Sequence, residues 1–330
     1  MHRGRILLGS AAAGPAIEGQ HISQGMLAAP GAISDLEYDW GWKCRILDER
    51  MHPQDGDTVD LTDGRIISKG NKPRAAGITG TGVIALVSIA LEAGYIDPPR
   101  IATASGKLSL QDGIDFDEQD LLEAGKAFGA MRAGERSLAE EAEASLEEIG
   151  ACCIAGAAGT LCDPVKARQL GLIPGQSKTV HLLGNTSQEM ARDLVLGKET
   201  LEGMERVAEK AEHISFSASE SFKRNYLAEY AYWCEGARYP ERDDRKNAER
   251  PPMNIILAKE KAPKSPMKYL LPTYRVPGLK AEGSERVIQA CPKGALLLRD
   301  GGYEVDLRRC LGASCLRCER ACPGFLLGAY

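Results

Sequence analysis

The sequence lacks a dominant charge, a long apolar run and an obvious catalytic group. Its 330 residues carry 41 Lys and Arg against 46 Asp and Glu, for a net charge of −5. This balance excludes a protein held mainly by charge to nucleic acid or to an acidic membrane, so we expect neither as a partner. The longest apolar run, Val83–Leu91, has nine residues, whereas a membrane-spanning helix needs about 20.

Histidines and common nucleotide-binding fingerprints are also scarce. The chain has five His residues, and His181 stands in an apolar stretch that favours a structural role. No Walker A loop is present, and no G-x-G-x-x-G follows a clear strand. Carboxylates such as Glu18 and Asp163 have no base or metal partner nearby in the sequence. We therefore predict no catalytic side chain.

The N-terminus resembles an export signal only superficially. A charged start, MHRGR, precedes ILLGSAAAG, but this apolar stretch is short and is interrupted by Gly9. A cytoplasmic location is the expectation, with an export signal as the alternative.

Length and charge together predict two domains. Residues 251–330 contain 13 Lys and Arg against 7 Asp and Glu, so an acidic body precedes a basic tail. The charged, proline-ended segment YPERDDRKNAERPP (239–252) is predicted to be a linker. It would join a lobe at 1–238 to a small module at 253–330.

The body alternates predicted strands and helices, which indicates an α/β domain with a partly parallel sheet. Strand, turn and strand are expected over 57–69. A helix is expected to follow GITGTG and to end at Gly94. A long helical region over 116–149 is expected to break near Gly134. CCIAGAAGT (152–160) predicts a buried strand running into a glycine turn, and TVHLLGN (179–185) predicts another strand.

Five of the ten cysteines fall in the last 40 residues. Clustering of this kind beside Cys-Pro dipeptides indicates metal rather than disulfides. Bacterial ferredoxins use C-x2-C-x2-C-x3-C-P twice, and the fourth cysteine of each run ligates the other run's cluster. The run here is C-x4-C-x2-C-x3-C-P, formed by Cys310, Cys315, Cys318 and Cys322, and Cys291 precedes it.

By that crossover rule, one [4Fe–4S] cluster is predicted, held by Cys291, Cys310, Cys315 and Cys318. The run expected before Cys291 is missing, because its positions hold Ala281, Ser284 and Val287. Cys322 is then left over from the lost second site. A zinc site with four thiolates is the alternative. The intervening stretch ALLLRDGGYEV (295–305) predicts a hairpin.

Three glycine-rich junctions recur in the body: AAAGPAIEG, GITGTGV and IAGAAGT. Backbone N–H groups in such turns and at helix N-termini can hold phosphate or lie against a nucleotide base. Close packing of a helix on a strand is the alternative for each of them.

Taken in order, four segments resemble the reductive activators of corrinoid proteins, over residues 5–235: AAAGPAIEGQHISQGMLAAPGAI, GITGTGVIALVSIALEAGYID, IAGAAGTLCDPVKARQLGLIP and LLGNTS. With its cysteine tail, the chain is similar to the methylamine methyltransferase corrinoid protein reductive activases of methanogens. The resemblance implies a ribonuclease-H-like lobe of the actin/hexokinase/Hsp70 ATPase class. It also implies a small C-terminal α+β ferredoxin-like iron–sulfur module.

A nucleotide site and a reaction are implied as well. Gly156 and Gly159 would match the adenosine-side motif, and Thr79, Gly80 and Gly82 would form another turn near ATP and Mg²⁺. The implied reaction is one-electron reduction of Co(II) to Co(I) in a corrinoid methyl-carrier protein, with electrons from an upstream donor. The family's Asp-Ile-Gly-Thr phosphate loops have no counterpart here. We therefore expect the C-terminal part of a longer protein, a split gene product or a fragment, and one expected partner is a separate chain that supplies the missing ATPase lobe.

Two other functions remain open. The chain could resemble the activators of 2-hydroxyacyl-CoA dehydratases, which belong to the same ATPase class but hold their cluster at a dimer interface. It could instead be a non-enzymatic electron-carrier or binding subunit that has lost nucleotide function.

Overall fold

The computed structural model describes most of the lobe and parts of the C-terminal segment. The described residues are 4–11, 13, 17, 21–71, 74–156, 161–175, 177–237, 254–257, 273–276, 284–291, 294–299, 302–306 and 317–321. The predicted linker at 239–252 lies outside them.

A five-stranded sheet forms the first part of the lobe. Its strands are β2 (Ala32–Tyr38), β3 (Trp42–Leu47), β4 (Pro53–Val59), β5 (Ile66–Ser68) and β6 (Gly77–Ile78), in the order β5-β4-β3-β2-β6. All neighbours are antiparallel except β6, which joins β2 in parallel. The strand, turn and strand predicted over 57–69 are confirmed by the pairing of β4 with β5.

Helix α1 (Gly80–Ala93) packs against β2. Thr79 caps its first turn, and Gly94 ends it in the left-handed conformation at φ +77°, where a side chain would be strained. Every residue from Gly80 to Ala90 is buried, so α1 runs through the core rather than along its surface. The helix predicted after GITGTG, ending at Gly94, is confirmed.

Helices α2 (Glu118–Glu141) and α6 (Glu220–Glu235) form the most extensive contact between two elements. Glycines on α2 allow the close approach: a Cβ at Gly125 would lie 2.7 Å from the Cβ of Trp233. The Trp233 ring is fully buried and meets Phe128 edge to face at 5.5 Å. Helices α2 and α6 therefore bury Phe128 and Trp233 between them.

The predicted break near Gly134 is wrong, because α2 continues without interruption to Glu141. Asp117 and Asp120 start the helix with a capping box. Gly134 itself faces Phe216, whose ring would lie 3.0 Å from a Cβ at this position. A glycine inside a helix costs about 1 kcal/mol, and burial against α6 and its neighbours offsets that cost.

A parallel sheet of strand order β11-β12-β14 forms the second part of the lobe: β11 (Ala151–Ala155), β12 (Thr179–Gly184) and β14 (Asn254–Leu257). The intervening helices are α3 (Pro164–Gln169), α4 (Thr186–Val195) and α5 (Leu201–Ala208). This alternation confirms the predicted α/β class with a partly parallel sheet.

Two expectations about this sheet need correction. The side chains of β11 alternate between exposed and half-buried, with Cys153 exposed, so the strand predicted to be buried is not buried. The side chains of β11 are not buried because it is an edge strand of the described sheet. Strand β14 pairs with β12, so residues 254–257 belong to the lobe's sheet, although the domain prediction assigns them to the C-terminal module.

The C-terminal residues form a small α+β unit. It contains β15 (Thr273–Val276), α7 (Ser284–Gln289), β16 (Leu296–Arg299), β17 (Gly302–Asp306) and α8 (Arg317–Ala321). Strands β16 and β17 are an antiparallel pair in which Arg299 faces Gly302, so the predicted hairpin is confirmed. Strand β15 adds to β17, and α7 packs against β16 and α8. We call residues 273–321 the cysteine module.

The remaining described strands are short: β1 (Ile6–Leu8), β7 (Ile96–Asp97), β8 (Arg100–Ile101), β9 (Lys107–Ser109), β10 (Asp115–Asp117) and β13 (Ala211–His213). Strand β1 pairs with β13 in parallel. No helix within the described ranges combines the length and apolar character that a bilayer crossing requires.

Candidate functional site

The N-terminus of α1 contains three of the residues predicted to bind nucleotide: Thr79, Gly80 and Gly82. The Thr79 hydroxyl accepts a hydrogen bond from the Gly82 N–H at 3.1 Å and donates to the Ile33 carbonyl at 3.2 Å. Because Thr79 is 5% exposed, these contacts fill its immediate surroundings.

Gly82 is required at this junction by the distance between α1 and β2. A Cβ there would lie 2.3 Å from the carbonyl oxygen of Ile33, closer than any side chain can approach. Thr81 strengthens the same contact by donating to the Ser34 carbonyl at 3.0 Å. Helix-on-strand packing therefore explains Thr79 and Gly82, and their role toward a nucleotide stays a prediction.

A different arrangement occurs at the carboxyl ends of β11 and β12. Gly156 follows β11 and donates its N–H to the carbonyl of Gly184, the last residue of β12, at 2.8 Å. Their φ angles are +99° and +69°, and a Cβ on either would meet nothing within 4 Å. Helix α4 starts next to them, capped by Asn185. Ligands of open α/β sheets bind at this edge, where helix N-termini attract anions.

Gly184 and Asn185 are candidate site residues that the sequence analysis did not select. The signal was present in LLGNTS, where an apolar strand ends in glycine before a helix, as IAG does at Gly156. Gly156 and Gly184 share the carboxyl edge, whereas Thr79, Gly80 and Gly82 lie at the start of α1, next to strand β2 of the other sheet. Gly159 lies outside the described residues.

A buried cationic group connects the segment after β11 to β2. Lys166, on α3, is 4% exposed; it forms an ion pair with Asp35 and donates to the Leu36 carbonyl at 2.7 Å. Asp163 lies 3.9 Å from the Lys166 Nζ and caps α3 by accepting the Val165 N–H at 2.8 Å. Buried charges need such compensation, so Lys166 anchors α3 on strand β2.

In the cysteine module, Cys291 stands at the turn between α7 and β16. Its sulfur accepts a hydrogen bond from the Ala295 N–H at 3.2 Å, and its carbonyl accepts the Gly294 N–H at 3.2 Å. Gly294 adopts φ +58°, the left-handed conformation that closes this turn. The turn thus directs a backbone N–H donor at a half-buried sulfur.

Cys318 lies on α8. Helix α8 packs against α7, the helix that precedes Cys291 in the sequence. Both sulfur-bearing residues are half-buried. Cys310, Cys315 and Cys322 lie outside the described residues. Within the described ranges, no group of three His, Cys, Asp or Glu residues is placed to hold a metal ion.

Thiols in the lobe have a different character. Burial raises the pKa of Cys152 to about 11, and burial beside Asp163 and Asp35 raises the pKa of Cys162 to about 12. Burial also raises the pKa of Cys44 to about 12. Metal ligands and nucleophiles must be thiolates, so these three residues behave as small apolar side chains near neutral pH.

The residues of the cysteine module fit an iron–sulfur centre. Soft thiolate ligands suit iron–sulfur clusters, and N–H donors to sulfur tune their potentials. Cys291 has such a donor, and the excess of Lys and Arg over residues 251–330 would balance a negatively charged centre.

Comparison with known proteins identifies the lobe. The family described as the C-terminal domain of RACo, the ASKHA domain, matches residues 1–243. A solved structure, a reductive activator for corrinoid, iron–sulfur protein, superposes with a TM-score of 0.51 at 23% identity. The match covers 67% of this chain and 36% of that chain, and it supports the actin-like fold.

A curated relative extends the similarity beyond the lobe. The [Co(II) methylated amine-specific corrinoid protein] reductase of Methanosarcina barkeri is 38% identical over 333 aligned positions. The alignment covers 94% of this chain, which spans 61% of the length of that relative. The predicted resemblance and the actin-like lobe are confirmed: the chain belongs to the family of the C-terminal ASKHA domain of RACo.

Proposed function

We propose that this chain takes part in the ATP-dependent reductive activation of a corrinoid protein, the one-electron reduction of Co(II) to Co(I). The observation that carries the proposal is the similarity to the corrinoid protein reductase. Since it covers 94% of the chain, it continues past residue 243, where the lobe's family match ends, into the cysteine-bearing segment. A relative sharing only the lobe would support the ATPase class without an electron path.

The lobe's part is to bind nucleotide. We place ATP and Mg²⁺ at the carboxyl edge of β11 and β12, where the Gly156 and Gly184 turns meet the N-terminus of α4. Gly159 would complete the adenosine-side turn. Thr79, Gly80 and Gly82 keep α1 against β2, and we propose that they border the same cleft.

The cysteine module's part is to hold the electron carrier. Cys291, Cys310, Cys315 and Cys318 would ligate a [4Fe–4S] cluster, with Cys322 as a further candidate. A bound cluster would supply a one-electron carrier of low potential. The Ala295 N–H donates a hydrogen bond to the Cys291 sulfur, and α7 and α8 hold two of the cysteine segments together.

Other proteins complete the proposed reaction. An upstream donor provides the electron, and the cobalt of a corrinoid methyl-carrier protein receives it. The proposed electron transfer requires no side-chain nucleophile, and the sequence analysis predicts none.

Anaerobic reconstitution followed by iron and sulfide analysis tests the electron path. We expect about four irons per chain and one reduced-cluster signal in electron paramagnetic resonance, lost in Cys291→Ser and Cys315→Ser. Cys44→Ser, at a buried lobe thiol, is the matched control and retains the iron. Zinc in place of iron, or no metal, contradicts the proposal.

A second assay separates an activase from a plain electron carrier. The reconstituted chain, with reductant and a corrinoid protein, is tested for the Co(I) absorption spectrum with and without ATP. Reduction that requires ATP supports the activase. Reduction that is independent of ATP, in a chain that also fails to bind an ATP analogue, favours the carrier subunit.

A further inference from the structure

The turn between β2 and β3 presents an aromatic and acidic surface. Tyr38 and Trp42 pack edge to face at 5.3 Å, and Asp39 and Trp40 lie in the turn between them. Trp40 adopts φ +57°, which is unusual for a bulky residue, and is 73% exposed. Backbone strain held at an exposed aromatic residue commonly marks a contact site.

Arg317, the first residue of α8, occupies this surface. Its guanidinium carbon lies 5.3 Å from the Trp40 ring centroid and 5.8 Å from that of Tyr38, within cation–π range. Its Nη2 also forms an ion pair with Asp39. Only 11% of the Arg317 side chain is exposed.

The charges around Asp39 are balanced for this contact. Lys43 lies 2.7 Å from its other carboxylate oxygen and 3.4 Å from Asp55. Burial raises the pKa of Asp39, but hydrogen bonds from Lys43 and Arg317 outweigh that effect and hold the pKa below its usual value. Asp39 therefore remains an anion able to receive the guanidinium. A planar guanidinium can stack and form an ion pair at once, which an ammonium does less well.

We propose that Arg317 is a positioning residue that docks the cysteine-bearing helix α8 on the β2–β3 turn of the lobe. Cys318 is the next residue, so the contact fixes one thiolate segment against β2. The other end of β2 carries the Ile33 and Ser34 carbonyls that bind the start of α1. Strand β2 thus connects the Arg317 contact at one end to the start of α1 at the other. The docking of α8 on the lobe is independent of the proposed function. That the docked Cys318 segment belongs to an electron path rests on the proposed function.

Hydrogen exchange of the full-length reconstituted chain tests the dock. In Arg317→Gln and in Asp39→Asn we expect roughly fivefold faster exchange at residues 38–42 and 317–321, with iron content unchanged. The double variant should show no further increase, because both changes remove one contact. Arg317→Lys should restore part of the protection. Arg65→Gln, at an exposed ion pair on the same sheet, is the control.

Unchanged exchange at both segments in Arg317→Gln, or additive effects in the double variant, would overturn the dock. Far-ultraviolet circular dichroism of each variant verifies that the lobe is folded. Failure of the proposed function has a different signature: the wild-type chain would lack iron while the Arg317-dependent protection persisted.

Discussion

The lobe and the cysteine module are stabilised in different ways. The lobe has a large continuous core of aliphatic and aromatic side chains that extends from Ile33 to Trp233. In the described part of the module, the buried apolar side chains are few: Val287, Ala295, Leu296 and Tyr303. Small units rarely fold on such a core without metal or disulfides. Packing therefore holds the lobe, whereas we expect the module to need bound metal in addition to its small core.

Removing the metal should produce the largest difference in stability between the module and the lobe. Iron chelation, or Cys318→Ser, should abolish exchange protection across β16 and β17 while the lobe keeps its own, because metal binding and folding are coupled in small modules. Hydrogen exchange of the reconstituted chain measures both. Cys234→Ser, at a half-buried thiol on α6, is the control. A module that keeps its protection without metal would show that its core suffices.

Breaking the buried ion pair between α2 and α6 should destabilise the lobe. Arg132 and Glu229 are 7% and 0% exposed and lie 3.0 Å apart. Glu229→Ala should lower the free energy of unfolding by about 3–5 kcal/mol, since it leaves a buried cation without its carboxylate. Urea unfolding measures the loss.

The matched control lies on the same helix. Glu220 pairs with Lys223 but is 84% exposed, so Glu220→Ala should cost less than about 0.5 kcal/mol. Equal losses in the two variants would show that burial does not decide the strength of these pairs. The iron content should be unchanged in both, because neither residue belongs to the module.

The lobe should also lose stability as pH rises. Burial raises the pKa of Glu135 from 4.5 to about 8, although Arg132 and Arg136 oppose the shift. The folded chain therefore holds a proton that the unfolded chain releases, and stability falls between about pH 4.5 and 8. Glu135→Gln mimics the protonated form.

At pH 8 the Glu135→Gln variant should be more stable than wild type by up to about 4 kcal/mol, because each unit of pKa shift is worth about 1.4 kcal/mol, and near pH 4.5 the two should match. Unfolding curves at both values test this. Glu141→Gln at the exposed end of the same helix should leave the pH dependence intact. A wild-type lobe whose stability does not fall over this range would contradict the shift.

The smallest expected effect concerns the cap of α1. Thr79→Ala removes the hydroxyl that accepts the Gly82 N–H and should cost about 1 kcal/mol of lobe stability. Thr79→Ser keeps the hydroxyl and should recover most of it. If ATP-analogue affinity falls in Thr79→Ala by more than the stability loss explains, Thr79 also serves the nucleotide.

The cysteine module shows which site features could be predicted from sequence. The turn residues Asp-Gly-Gly at 300–302 predicted a hairpin over 295–305, and the structure confirms it, because a hairpin depends on neighbouring residues. The same local reasoning overlooked Gly184 and Asn185. Their importance follows from pairing with Gly156, a contact between segments far apart in sequence.

By itself, the sequence determined the family, the α/β class, both ends of α1 and the hairpin, since each depends on motifs or on local backbone preference. The tertiary structure decided the rest. It kept α2 continuous through Gly134, left β11 exposed at a sheet edge and added β14 to the lobe. It also brought Arg317 onto Trp40. These outcomes depend on contacts between distant segments, whose packing and charge energies no local pattern contains.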